Sequence, residues 1–204
     1  MKTYHYILIF VLIIILGIWY FRPNETVVNN PVIVAEVDLE KLPQKYENQE
    51  YNFQINLPKD FTVIEDYTNF ISPDKVFPGI KFRISEELYK GTNLSSDTYI
   101  SIERTKVAPE ACGAELFFIA SELTGLEDIN GRKYTKAISL GAGAGNRYDE
   151  TIYATSVGEY CYAIRYLIHY SIIGNYPEGA VKEFDIVAIR SIFDLIRNTV
   201  IIKD

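Results

Sequence analysis

Tyr51-Asn52-Phe53-Gln54-Ile55-Asn56-Leu57 alternates apolar and polar residues without a fault. Successive side chains of a strand point to opposite faces, so this stretch reads as a half-buried β-strand with its odd-numbered residues turned inward. Pro58-Lys59-Asp60 supplies a turn, and Phe61 to Ile64 opens a second strand. Toward the C-terminus, strands are expected at Lys81–Ser85, Thr98–Arg104, Lys133–Leu140, Arg147–Thr155 and Tyr160–Ile173. Short strands separated by turn signals argue a mainly antiparallel sheet.

The last element changes period. Between Asp185 and Asn198 the apolar residues Ile186, Ile189, Ile192, Phe193 and Ile196 recur at helical spacing. Asp185 suits the N-cap, and Arg197 sits in the last turn, where a cation complements the helix dipole. The expected class is α+β: one antiparallel sheet packed by a C-terminal amphipathic helix, over residues 50–204.

Upstream, the chain from Arg22 to Gln49 carries Pro23, Pro31 and Pro43 among several Asn and Glu. Residues 23–49 therefore read as a spacer, with Pro31 to Val37 apolar enough to add an edge strand or lie on the domain. Before the spacer, Tyr4 to Phe21 reads YHYILIFVLIIILGIWYF, with no charge from Ile7 onward. As a helix it spans about 27 Å, close to a hydrocarbon core of about 30 Å. Tyr4 and Tyr6 at one end, and Trp19, Tyr20 and Phe21 at the other, form the aromatic belts of a spanning helix.

A cleaved signal peptide is the competing reading. Cleavage wants small residues after the apolar run, and this chain offers Trp19 to Pro23 instead. Residues 1–22 are therefore expected to be an uncleaved transmembrane anchor, in contact with the bilayer through residues 4–21. Lys2 and the amino terminus favour an inside start, against a weaker pull from Arg22. Taken with the pairing expected of Cys112 and Cys161, which bears on orientation more than these charges do, the expectation is a single-pass cell-membrane protein whose domain faces outside the cytoplasm.

The 204 residues allow one domain plus the anchor, and a hydrophobic share of 48% is that of a globular chain. The formal net charge of −7 repels phosphate backbones, which excludes nucleic acid as a partner.

The opening Tyr51-x-Phe53-x-Ile55-x-Leu57-Pro58-x-Asp60-Phe61, and the closing helix with its apolar tail Val200 to Ile202, resemble small extracytoplasmic domains of the PsbP-like type. The middle is similar to a recurring uncharacterised bacterial domain of secreted or membrane-anchored proteins. It runs from Gly91 to Ser95, through Ala142 to Tyr148, to Ile173 to Pro177. Neither resemblance implies an activity or a functional residue.

Cys112 and Cys161 are the only cysteines. The expected arrangement is a Cys112–Cys161 disulfide, as two cysteines of an exported domain would most simply form. In a reducing compartment they would be two buried thiols. With no C-x-x-C and no histidine nearby, no metal site is expected, and no cofactor signature is present.

In Tyr160–Ile173, Arg165, Leu167 and His169 share one strand face. A four-residue loop Ser156–Glu159 would set Glu150 opposite Arg165 and Asn146 opposite His169. The four residues Glu150, Arg165, His169 and Asn146 then form a polar patch that could take an acidic or hydroxylated ligand. An ordinary cross-strand ion pair beside a histidine accounts for the same residues.

Leu140-Gly-Ala-Gly-Ala-Gly145 lacks the Gly-Lys-Ser/Thr and following helix of a phosphate loop. Asn24 and Asn93 match N-x-S/T. Seven of the sixteen tyrosines crowd 148–176, where they suit either a recognition surface or a half-buried sheet. No catalytic set stands out. The sequence points to a non-enzymatic binding or accessory module whose partner is a protein or an envelope polymer. The alternative is an envelope-acting hydrolase using two carboxyls about 5 to 9.5 Å apart across a cleft.

Overall fold

The structure is a computed structural model and describes residues 39–203 apart from Ser121. The anchor expected over residues 1–22 and the part of the expected spacer up to residue 38 lie outside the described residues. Among the described residues, no helix is long and apolar enough to cross a membrane.

Among the described residues every strand pairing is antiparallel, but they form two sheets where one was expected. In the small sheet β2 (Phe53–Leu57) lies between β1 (Gln44–Asn48) and the two-residue β10 (Ile201–Ile202). The large sheet is built from β3 (Thr62–Ser72), β4 (Lys75–Arg83), β5 (Tyr99–Lys106), β6 (Glu122–Ile129), β7 (Arg132–Gly143), β8 (Asn146–Val157) and β9 (Tyr160–Ser171). Their spatial order is β3-β4-β5-β9-β8-β7-β6, so β9 is the central strand. One helical turn, α1 (Glu86–Tyr89), precedes β5, and the C-terminal helix is α2 (Ile186–Arg197).

β1 falls inside the stretch read as spacer, so the folded body includes residues 44–48. Its sequence, Gln-Lys-Tyr-Glu-Asn, shows no apolar alternation because it is an edge strand. It is held to β2 through the backbone, and only Tyr46 leans on the core. β6 was invisible for a related reason. A bulge between Leu123 and Gly125, with Gly125 at φ +123°, breaks the alternation that would reveal it.

Each face of the large sheet is covered. On one side β2 and α2 close a core containing Phe53, Ile55, Phe82, Ile164, Tyr166 and Phe193. Asp185 caps α2 by accepting from the Val187 and Ala188 amides at 2.9 and 3.0 Å. Ile189, Phe193 and Ile196 turn inward as their spacing implies. Tyr153, Tyr162 and Tyr166 are buried in this core, so the tyrosine-rich hairpin is chiefly packing.

On the other side, residues 107–120 fold over the sheet through two 3-10 turns, Pro109–Ala111 and Ala114–Phe117. Phe117 is sealed against Phe77, Ala137, Ile152 and Ala163. Cys112 and Cys161 form a disulfide that joins this segment to β9.

Candidate functional site

Arg165 lies at the middle of the large sheet, on the side covered by residues 107–120. On that face of β5, Ser101 stands opposite Arg165 and Glu103 is one step along. Arg165 and Glu103 are 2% and 0% exposed. Arg165 reaches Glu103 from Nε at 2.8 Å and from Nη2 at 3.1 Å. Nη2 also donates to the Phe117 carbonyl at 3.0 Å, and Nη1 bonds the Glu150 carboxylate.

Glu103 accepts further bonds from Ser101 at 2.9 Å and, more weakly, from Tyr67 at 3.4 Å. Burial alone would lower the Arg165 pKa. Glu103 and Glu150 more than offset it, and the guanidinium stays cationic above its ordinary range. Burial, reinforced by Glu103, likewise pushes Tyr67 and Tyr99 well above the usual phenol range. Glu103 has room only because Gly79 stands opposite. A Cβ there would lie 2.4 Å from the Ile102 carbonyl and 3.1 Å from Glu103 Cγ.

Glu150 and Arg165 form the polar floor of a depression of about 450 Å³ walled by Phe70, Ile71, Phe118 and Ile119. The sheet coils enough for the end of β3 to meet Ser139 of β7 in the same depression. Phe70 is 66% and Ile119 79% exposed. A few convergent polar groups within apolar walls are the usual make-up of a ligand site. An adjoining depression, lined by Glu122, Ile138 and Leu140, shares Ala120 and Ser139 with it. A larger cavity of about 600 Å³ lies between β2, the β6–β7 turn and the C-terminal tail. There the Asn130 amide already pins the tail by donating to the Asn198 and Val200 carbonyls.

The four residues expected to share a patch are brought together only in part. Glu150 does meet Arg165, but diagonally. The β8–β9 turn is Gly158-Glu159 rather than a four-residue loop, with Gly158 at φ +59°. This shifts the register by two residues. Ile152 stands opposite Arg165, Tyr148 opposite His169, and Asn146 opposite Ser171. Gly-X is a two-residue hairpin signal, so the sequence did carry the tighter turn.

His169 stacks on Tyr148 with ring centroids 4.4 Å apart, and its Nδ1 pairs with Asp97 at 2.7 Å. Its Nε2 is the one buried side-chain polar atom among the described residues without a partner. Asn146 accepts from Ser171 at 2.9 Å. Neither His169 nor Asn146 lines the depression at Arg165. Glu103, Ser101 and Tyr67 were missed because nothing local marks a buried acid. Only the register of β5 against β9 puts Glu103 beside the arginine.

Two other motifs resolve. Ala144 and Gly145, at φ +48° and +80°, make the β7–β8 turn, so the glycine-rich stretch is strand and hairpin. Asn93 is 3% exposed, donates to the Ser171 carbonyl and accepts from the Phe184 amide, which leaves no room for a glycan. Among the described residues no group of His, Cys, Asp and Glu could hold a metal ion.

No family model matches the chain, and no curated protein matches it. The PsbP-like resemblance thus has no family match behind it. Among solved structures, a crystal structure from Bacteroides thetaiotaomicron VPI-5482 is similar in fold, with 11% identity and a TM-score of 0.48. The match covers 79% of this chain and 48% of that one, so the chain spans about half its length. The protein Mog1 E65A mutant is 8% identical, with 79% of this chain and 96% of that one covered and a TM-score of 0.47.

Proposed function

We propose that this chain is a non-enzymatic binding module, held on the outer face of a membrane by residues 4–21, that takes its partner in the depression walled by Phe70 and Ile119. The observation that carries this reading is the closure of the charged cluster beneath it. Arg165 is held by two carboxylates and a backbone carbonyl, so it is locked in place rather than poised for proton transfer or anion capture. The two carboxyls that meet there, Glu103 and Glu150, grip one guanidinium instead of facing each other across open space, so this pair lacks the arrangement a carboxylate hydrolase uses. Apolar walls this exposed favour contact with a partner. A disulfide persists in oxidising compartments, which agrees with an extracytoplasmic domain.

Site-specific photo-crosslinking in intact cells tests the reading, with the crosslinker at position 119 and, as a control, at exposed position 178. A discrete adduct from 119 and none from 178 is expected. No adduct from 119, or equal adducts from both, removes the proposal.

A further inference from the structure

The charges at the depression do not cancel. Glu103 and Glu150 both hold the single Arg165 guanidinium, which leaves one carboxylate in excess. Glu103 is sealed, so the surplus is expressed at Glu150, whose side chain is 27% exposed and lines the depression. Lys75 forms no ion pair with Glu150, since its ammonium is drawn to the Phe118 carbonyl at 2.7 Å. Glu122, exposed on the adjoining depression, adds acid to the same side. An acidic ligand would find no free cation at Arg165, and a neutral polyol would leave the surplus unanswered.

Building on the binding-module reading, we infer that the depression receives a basic–apolar segment of a protein partner. Its apolar side chains would pack on Phe70, Phe118 and Ile119, and a Lys or Arg among them would donate to Glu150. Alternation of the two residue types suits a floor of charge framed by apolar walls. The acidic balance of the whole chain steers such a segment inward.

Fluorescence anisotropy on the full-length chain in phosphatidylcholine nanodiscs, with empty nanodiscs as the blank, tests this. The probes are labelled peptides with a Leu-Lys-Leu-Lys-Leu core and matched peptides carrying Gln or Glu in place of Lys. The Lys peptide is expected to bind about tenfold tighter than the Gln peptide, with the Glu peptide weakest. Glu150→Gln should abolish that preference, and Ile119→Ser, which removes apolar wall without adding charge, should weaken every peptide. A Lys preference that survives Glu150→Gln overturns the inference. Equal binding of all three peptides, still weakened by Ile119→Ser, overturns the charge rule and leaves the binding module standing. Binding by none overturns the inference, and the crosslink at position 119 then judges the module on its own.

Discussion

Arg165 Nη2 donates to the Phe117 carbonyl at 3.0 Å, so a side chain on the central strand fastens the segment that shields it from water. The same guanidinium neutralises Glu103 beneath that segment. Cover and ion pair therefore depend on each other: without the cover the charges hydrate, and without the charges the cover loses an anchor.

Arg165→Met leaves Glu103 buried without its cation and should cost about 3–5 kcal/mol in urea unfolding. The double variant Arg165→Met/Glu103→Leu removes both charges and should recover at least half of that loss. Equal losses in the single and double variants would show that packing, not the uncompensated carboxylate, dominates.

The disulfide closes a loop with a sequence separation of 49. Replacing both cysteines with alanine should lower stability by about 4 kcal/mol in the chain-entropy model. A membrane-impermeant maleimide should label the denatured chain only after reduction. Free labelling without reductant would mean that the pair is not oxidised in the cell and would remove the main support for the outward-facing orientation.

Gly79→Ala places a methyl against the Ile102 carbonyl, an atom of backbone that cannot swing aside. A loss of about 1–3 kcal/mol is expected, the range for overpacking. Crowding at Glu103 Cγ should also disturb the ion pair, so Gly79→Ala and Arg165→Met should be non-additive. Strict additivity in the double-mutant cycle would separate the two features.

Burial pushes the Tyr134 phenol up to about 12, against about 10 in the unfolded chain. The folded state thus favours the neutral phenol. That contribution is complete below pH 10 and is lost as pH rises from about 10 to 12. Between those limits the wild type should lose stability more steeply than Tyr134→Phe, measured as urea midpoints. Parallel decline of the two proteins would mean that Tyr134 does not contribute to the alkaline loss.

Much of the fold could be read from single residues in order. The alternation of Tyr51–Leu57 and the helical spacing of Ile189, Phe193 and Ile196 each express contact with one flat face, and both elements are found, the strand starting at Phe53 after a turn at Tyr51-Asn52. β1 and β6 escaped because an edge strand and a bulged strand need no regular apolar period. The patch at Arg165 was half visible. Its face could be read from strand parity, while its partners waited on a turn of two residues instead of four.

By itself the sequence determined which residues face inward along β2 and α2, where α2 begins, and the acidity of the chain. These follow from local periodicity, capping chemistry and composition, which need no knowledge of distant neighbours. Only the tertiary structure decided that Glu103 and Glu150 share one guanidinium, that residues 107–120 cover them, and that β10 pairs with β2. Those pairings join residues 15 to about 150 positions apart. Strand order and register select them, and neither is written in any short stretch of chain.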